Sequence, residues 1–561
     1  MNNLKTRMTS VGVLVIEIDV PNSNENILNE DLSKELYNLF KLLPSELNLN
    51  KWHGTIIKSR KLGSFIAGAD INWIESVNDS LKAKSLSLMA QRGFLEIEKS
   101  ERPVVAAILG TCMGGGLELA LACHCRIAVD HDKTIFSLPE VKLGLLPGGG
   151  GTQRAPKVMG IVNAVDFIVK GLVDHVIERL LNVDESLEKL DWELERKAVE
   201  IVLGMRLCVM KIERPFHLTD YFLSFPFFWN IYEQKVCNEI EKKTMGKYPA
   251  PLKALEAIKT GHLYGKKKGY QMEAANFGYL VTSKESKALI HVFNLVKNMK
   301  KQIKFIPEYL KSMKIALYGG SRALNLLKII PKTCLVKKFS HLEVNNQLND
   351  FDIIVIMPDD YCTDTKVLVR DILKIFEKDT KIPILIDGIS FPEDIIYNNL
   401  FLTRLVEPYN TTLHVEIVKQ NNSESNSIKI ATTFFNLINK CVTITTRSVD
   451  GISGFVNNCL LALVQGVEEI IKSILSKQER KLVVIQQLVL SSNYVSPNPD
   501  FTKLLSSITS ETTCLNITSV IKGVAKKLIQ ENSIDTNMKD CDFASLFSLG
   551  YPPYLGGLFF N

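Results

Sequence analysis

Short apolar runs alternate with helix-spaced apolar positions along the first third of the chain. The runs at 13–19, 55–58 and 103–109 are flanked by polar and turn residues, which predicts three buried strands. Apolar residues at helical spacing over 28–42 and 117–123 predict two helices. Because strands and helices alternate, this part of the sequence indicates an α/β core.

The middle of the chain is charged and has apolar residues at helical spacing. Residues 178–247 predict helices, and the proline-containing segment 248–251 interrupts them before helical spacing resumes to Lys300. This region is therefore expected to consist of connecting helices.

A second α/β unit is predicted after these helices. Apolar runs at 314–320, 352–357 and 382–387 predict its strands. After Glu416 the pattern predicts a return to helices, including amphipathic helices at 454–475 and 520–530. The expected plan is thus modular.

Composition narrows the class of protein. The chain has 561 residues, of which 46% are hydrophobic and 23% charged, as in ordinary globular proteins. Its net charge of +6 is too small to indicate nucleic-acid binding. Eleven cysteines without paired spacing favour a reducing compartment, and Cys123-His124-Cys125 fits no common zinc spacing, so no metal is expected. No apolar run is long enough to predict a membrane span.

Two glutamates beside glycine-rich turns carry the candidate chemistry. The segments are Gly114-Gly115-Gly116-Leu117-Glu118, Ser137-Leu138-Pro139-Glu140 and Pro147-Gly148-Gly149-Gly150-Gly151-Thr152-Gln153-Arg154. Glycines let backbone N–H groups approach a developing oxyanion, while two carboxyl groups can orient a water molecule and deliver a proton. Apolar neighbours predict that both glutamates are buried, which would raise their pKa values. The pattern suits the addition of water to an activated thioester.

These motifs, with Ile66-Ala67-Gly68-Ala69-Asp70-Ile71, resemble the crotonase (enoyl-CoA hydratase/isomerase) superfamily. The resemblance implies a ββα spiral fold and hydration of trans-2-enoyl-CoA to 3-hydroxyacyl-CoA without a cofactor. It assigns acid and base roles to Glu118 and Glu140, and oxyanion-binding N–H groups to Ala67 and Gly115. It also implies that Gly68, Ala69, Asp70 and Ile71 bind the substrate.

The segments Tyr248-Pro249-Ala250-Pro251-Leu252-Lys253 and Thr282-Ser283-Lys284-Glu285-Ser286-Lys287-Ala288-Leu289 resemble the family of the mitochondrial trifunctional enzyme alpha subunit, as does the closing Gly550-Tyr551-Pro552-Pro553. In that family a hydratase is fused to an NAD-dependent 3-hydroxyacyl-CoA dehydrogenase and bound to a thiolase beta subunit. The resemblance implies fatty-acid β-oxidation, oligomerisation, a mitochondrial location and peripheral membrane association.

Four domains follow from this resemblance. They are a crotonase-like hydratase domain at 1–185, a helical linker at 186–310, a degenerate Rossmann-like NAD-binding domain at 311–445, and a truncated helical dehydrogenase-like domain at 446–561.

The dehydrogenase part departs from its family. A dinucleotide-binding turn needs G-x-G-x-x-G, whereas Gly319, Gly320 and Ser321 keep only part of it, and Leu324 adds a side chain where helix and sheet should pack closely. The next strand is expected to end in Lys337-Lys338, in place of the acid that grips ribose hydroxyls. We therefore expect NAD binding to be weak or lost.

The catalytic centre of that part is also altered. Arg404 stands at the position of the family's catalytic histidine, while Glu416 matches its orienting acid and Asn458 its substrate-binding asparagine. A guanidinium cannot exchange protons near neutral pH. The nearby His414 alternates with apolar residues and is interpreted as a histidine in a strand.

Three hypotheses follow. The first is an enoyl-CoA hydratase with a decayed dehydrogenase part. The second is a non-catalytic subunit that binds acyl-CoA or a thiolase, favoured because a helix-turn stretch of the family is missing beside Val169. The third is an incomplete gene model whose full product has both activities. Turnover of an enoyl-CoA separates the first two, and the messenger RNA sequence tests the third.

Overall fold

A computed structural model of the chain describes eleven segments: 3–46, 51–169, 186–207, 217–244, 246–303, 311–339, 350–358, 382–387, 398–405, 414–420 and 423–446. The chain divides into two compact units, Met1–Ile290 and His291–Asn561. The predicted helices at 454–475 and 520–530, and most of the predicted domain at 446–561, lie outside the described residues. The four-domain division stays a prediction.

Two sheets form the centre of the first unit. Their strands are β1 Leu4–Met8, β2 Val13–Ile18, β3 Gly54–Ser59, β4 Ser64–Ile66, β5 Val104–Ile108, β6 Thr111–Met113, β7 Cys125–Ala128 and β8 Phe136–Ser137. The larger sheet has the order β1-β2-β3-β5-β7 and the smaller one β4-β6-β8. All neighbouring pairs are parallel except β1 and β2.

The helices of this unit follow a repeated strand-strand-helix order. They are α1 Glu30–Glu46, α2 Ile71–Ser76, α3 Ser80–Glu98, α4 Gly115–Ala122, α5 Gly151–Met159, α6 Ile161–Val169, α7 Leu187–Arg206, α8 Leu218–Leu223, α9 Pro226–Thr244, α10 Pro249–Tyr264 and α11 Lys266–Val281, with a 3₁₀ helix at Pro139–Leu143. The boundary after Ile290 falls within α12 Lys284–Ile303. The pairs β3/β4, β5/β6 and β7/β8 each place their first strand in the larger sheet and their second in the smaller. This is the ββα arrangement that the resemblance implies.

The larger sheet is covered on both faces, which explains its nearly continuous apolar strands. Along β2, Val13 and Val15 pack with α7 residues such as Leu194. Leu14 and Ile16 face the opposite way, into the core shared with α1, α3 and α10. Because α7 to α11 pack in this unit, the segment predicted as a linker contributes to the same core.

The second unit has a seven-stranded sheet in the order β10-β9-β11-β12-β13-β14-β15. Its elements are β9 Lys314–Gly319, α13 Ser321–Leu327, β10 Leu335–Phe339, β11 Ile353–Met357, β12 Ile384–Asp387, β13 Leu400–Leu405, β14 His414–Lys419, α14 Ser425–Leu437 and β15 Cys441–Thr446. Only β13 and β14 pair antiparallel. The predicted α/β character of this region is confirmed.

Two details of the second unit correct the sequence-based expectations. The chain does not turn wholly helical after Glu416, because that residue lies inside β14 and a further strand, β15, follows α14. The strand expected to end at Lys337-Lys338 continues to Phe339, whose ring lies 5.2 Å from the Lys337 Nζ. Across the described residues, no helix is long and apolar enough to cross a membrane.

Candidate active site

A cavity of about 100 Å³ lies in the first unit, with room for several water molecules. Most of its lining is apolar, and two carboxylic acids, Glu118 and Glu140, are part of it. Its apolar wall includes Leu28, Trp73, Leu86, Phe94, Leu146 and Phe277. An apolar cleft with a few convergent polar groups is the usual form of a small-molecule site.

Glu118 projects from the first turn of α4 and is held by the glycine run before α5. The carboxylate Oε1 accepts the N–H of Gly149 at 2.8 Å and that of Gly151 at 2.7 Å. Burial raises the pKa of Glu118 to about 7, while the two amides and the positive charge of Arg154 oppose that rise. The predicted burial is confirmed, since only 4% of the residue is exposed.

Glycines are required at these positions because the carboxylate of Glu118 lies directly against the backbone. A Cβ at Gly149 would lie 2.9 Å from the Oε2 of Glu118, and one at Gly151 would lie 2.8 Å from its Oε1. Both contacts are too close for ordinary packing, so a side chain at either position would displace the carboxylate.

Glu140 lies in the 3₁₀ helix and faces the turn that starts α4. A Cβ at Gly114 would lie 3.0 Å from its Oε1. The residue is partly exposed as a whole, but its Oε2 is enclosed and has no hydrogen-bond partner among the described residues. Burial raises the pKa of Glu140 well above the usual carboxyl value, and the charge of Glu118 raises it further. Of the two acids, Glu140 is thus the one whose pKa the second carboxylate raises further, which favours its protonated form.

The structure corrects one of the two predicted oxyanion donors. The N–H of Ala67 donates to the Asn26 carbonyl oxygen at 2.8 Å, so it is not available to a ligand. Ala69 lines the cavity, and its N–H has no acceptor among the described residues. Gly115 also lines the cavity and is the first residue of α4, where N–H groups lack partners within the helix. Ala69 and Gly115 are therefore the donors that the geometry supports.

The other residues predicted to bind substrate shape this loop. Gly68 adopts φ +119° and its carbonyl oxygen accepts the Leu28 N–H at 2.8 Å. Asp70 caps α2 by accepting the N–H groups of Asn72 and Trp73. Ile71 begins that helix and packs against the core. Of the four, only Ala69 lines the cavity.

Helix α11 supplies site residues that the sequence analysis missed. Phe277 and Val281 line the cavity, and Glu273 contacts the glycine run that holds Glu118. Their helical spacing in a charged segment predicts only a helix. The sequence offers one signal: Glu273 lies four residues before Phe277 and eight before Val281, so a helix places all three on the same side.

In the second unit, the structure brings together some of the residues that the resemblance assigns to a dehydrogenase centre. Strand pairing places Arg404 of β13 opposite Glu416 of β14. Glu416 is fully buried and accepts a hydrogen bond from Thr445 Oγ1 at 2.7 Å. Asn458 lies outside the described residues. His414 is a buried strand residue as interpreted, 2.8 Å from Thr443 Oγ1, and burial lowers its pKa to about 3.

The glycine turn of this unit keeps only part of the dinucleotide-binding pattern. Gly319 ends β9 and Gly320 precedes Ser321, the first residue of α13, but that helix has only seven residues. Arg322 turns into the carboxyl ends of the strands, where a dinucleotide would cross. There it forms an ion pair with the buried Asp387 and donates to the Pro358 carbonyl oxygen at 3.0 Å.

The prediction that Leu324 lies where helix and sheet pack closely is wrong. Its side chain is 46% exposed, because Ala323 is the residue that packs between helix and sheet. The buried charged side chain at this turn is that of the neighbouring Arg322, which is 4% exposed.

Cys123-His124-Cys125 takes part in packing and backbone contacts. The Cys123 thiol donates to the Leu119 carbonyl oxygen, and His124 Nδ1 accepts the Val104 N–H at 3.1 Å. Within the described ranges, no group of three or more His, Cys, Asp or Glu residues could hold a metal ion.

Residues 8–173 match the sequence model of the enoyl-CoA hydratase/isomerase family. The fatty acid oxidation complex subunit alpha of Shewanella amazonensis is 36% identical over 303 residues, which cover 52% of this chain and 41% of that protein. The same subunit of Shewanella loihica is 37% identical over 304 residues, with the same shares. The chain thus spans less than half the length of these bacterial relatives. The match and the ββα order together give the first unit a crotonase-like fold.

Among solved structures, the enoyl-CoA hydratase of Bacillus anthracis aligns with a TM-score of 0.31 and 24% identity, over 52% of this chain and 96% of that one. The enoyl-CoA hydratase of Bacillus halodurans aligns with a TM-score of 0.35 and 17% identity, over 52% and 99%.

Proposed function

We propose that the first unit adds water to a trans-2-enoyl-CoA to give a 3-hydroxyacyl-CoA in fatty-acid β-oxidation. The observation that carries this proposal is the pairing of two glutamates, both with raised pKa values, on one apolar cavity. The family match over 8–173 and the similarity to fatty acid oxidation complex alpha subunits support it.

Glu118 and Glu140 have different roles in this reaction. Oε1 of Glu118 is held by two amides, which leaves Oε2 to accept a proton from a water molecule. The water oxygen attacks C3, and the electrons of the C2–C3 double bond move toward the thioester. The protonated Glu140 delivers its proton to C2. Transfer of the proton from Glu118 to Glu140 restores both groups, so the net reaction adds one water.

The thioester oxygen gains negative charge as water attacks. The N–H groups of Ala69 and Gly115 are placed to donate to it. Loss of one such donor costs about 3 kcal/mol of barrier in other enzymes. The apolar wall would take the acyl chain, because burying it there removes its surface from water.

We also propose that the second unit performs no NAD-dependent step. The Arg322 ion pair with Asp387 occupies the strand ends, and Arg404 replaces the proton-exchanging group. A thiolase partner, assembly with a complex of the mitochondrial trifunctional type and a mitochondrial location are proposals supported by the resemblance of the segments 248–253 and 282–289.

The test is hydration by the purified chain and by Glu118→Gln and Glu140→Gln. Either amide keeps the shape but removes proton exchange, so turnover should fall by about 10²- to 10⁴-fold while binding of the thioester is retained. Turnover is followed by loss of the enoyl-thioester absorbance of crotonyl-CoA and a long-chain enoyl-CoA.

Glu200→Gln is the matched control, since Glu200 pairs with Arg196 on the surface of α7. It should leave the rate unchanged. Thioester binding without turnover in the wild-type chain would favour the non-catalytic subunit, and full activity in both glutamine variants would remove the mechanism.

A further inference from the structure

Four consecutive backbone N–H groups at the start of α5 are shared between two carboxylates. Those of Gly149 and Gly151 donate to Glu118. Those of Gly150 and Thr152 donate to Glu273, at 2.7 Å and 3.1 Å. The donors alternate along the chain, so neither glutamate can move without moving the turn that holds the other.

Glu273 is held as firmly as Glu118. It is fully buried, and besides the two amides it accepts Nε2 of Gln91 at 2.9 Å and the hydroxyl of Thr152. Gln91 belongs to α3 and also donates to the Tyr270 carbonyl oxygen of α11. The carboxylate therefore joins α3, α5 and α11 at one point.

We infer that Glu273 is a positioning residue for the hydration proposed above: by holding the amides of Gly150 and Thr152, it fixes the turn that directs Glu118 into the cavity. The inference rests on that proposed function. Glu273 does not line the cavity, so it acts through Glu118 and not on the substrate.

The charges around Glu273 give this role a second consequence. Glu118 of α4, Arg154 of α5, Glu98 of α3 and Glu140 of the 3₁₀ helix act in this cluster, together with Tyr270 of α11. Burial, followed by the charge of Glu118, raises the pKa of Glu273 to about 8. This value lies above that of Glu118, so Glu273 carries little charge where Glu118 ionises, and a neutral amide at position 273 should leave the pKa of Glu118 near its wild-type value.

The test is Glu273→Gln in the full chain. The side-chain nitrogen of the glutamine cannot accept the hydrogen bonds that a carboxylate oxygen of Glu273 accepts, so the turn from Gly149 to Thr152 must shift. We expect kcat for crotonyl-CoA to fall by about 10- to 100-fold. We expect KM to change by less than about threefold, because the cavity wall is intact. The acid limb of the pH profile should stay near its wild-type position, since the pKa of Glu118 is not set by Glu273.

Glu256→Gln is the matched control. Glu256 lies on α10, also in the helical region, and bonds to Lys253 and Asn276 without contacting the turn. Its kcat and pH profile should stay those of the wild type. If Glu273→Gln does not fold, Thr152→Val removes one donor to Glu273 and should lower kcat by roughly fivefold, again with little change in KM.

The outcomes separate the two proposals. An active wild-type chain whose Glu273→Gln variant keeps the same kcat and pH profile overturns the positioning role alone. Equal losses of kcat, thioester affinity and thermal stability in that variant would also overturn it by showing a purely structural role. A wild-type chain without turnover overturns both.

Discussion

Glu118 and Glu140 must be in opposite protonation states for hydration. Glu118 has to be ionised, so kcat/KM should rise as the pH increases through about 7. Glu140 has to be protonated, and since its pKa is raised well above the usual value, the rate should fall only at higher pH. We expect a bell-shaped profile of kcat/KM against pH for crotonyl-CoA, with limbs that belong to the coupled pair.

The position of the acid limb decides this prediction. An unburied glutamate ionises near ~4.3. A profile that stayed flat from that region to above pH 7 would contradict the buried, coupled pair. Glu140→Gln should lose the basic limb together with most of the rate.

The two glutamates could be found from the sequence because each has apolar neighbours and follows a glycine or proline turn. The sequence placed the first oxyanion donor at Ala67 and not at Ala69. Only the fold shows that the N–H of Ala67 already donates to the Asn26 carbonyl oxygen. Glu273 reaches Thr152 across 121 sequence positions. No local spacing reports such a contact.

At the scale of elements, the turn from Gly148 to Gly151 is the most constrained part of the site. Gly150 has φ +103°, and a Cβ there would lie 2.1 Å from a guanidinium nitrogen of Arg154. We expect Gly150→Ala to lower the free energy of unfolding by about 3 kcal/mol or more, from backbone strain and the displaced arginine. Turnover should fall with it.

Gly265→Ala separates these two causes. Gly265 also has positive φ, at +92°, but no atom lies within 4 Å of its Cβ position. It should cost only about 1–2 kcal/mol of backbone strain and leave turnover unchanged. Thermal unfolding of both variants gives the comparison, and equal destabilisation would mean that contacts with Arg154 contribute nothing.

Elements were predictable where their apolar pattern was long enough. The structure confirms β2, β3 and β5 at the apolar runs near the start of the chain, and α4 at the helical spacing after the first glycine turn. The strands of the smaller sheet have three, three and two residues, too few to show a period. In β15 the buried positions include Thr443 and Thr445, so the strand lacks the apolar signal of the others.

At the scale of the whole molecule, the order of the two units was readable because each contains buried apolar strands and a glycine turn that precedes a helix. The sequence could not show which side chain is buried at the glycine turn between β9 and α13. The expected defect was Leu324, which is 46% exposed, whereas Arg322 is buried at this turn and forms an ion pair with Asp387.

The whole chain should therefore hydrate without oxidising. Added to a completed hydration of crotonyl-CoA or a long-chain enoyl-CoA, NAD should give no NADH absorbance, and NADH titrated with the protein should show no bound fluorescence. A pyrophosphate at the strand ends would have to displace Arg322 from Asp387, and breaking a buried ion pair in this way costs about 3–5 kcal/mol. An active 3-hydroxyacyl-CoA dehydrogenase in a parallel assay is the positive control. Rapid formation of NADH would show that the ion pair opens and that the second unit retains a dehydrogenase site.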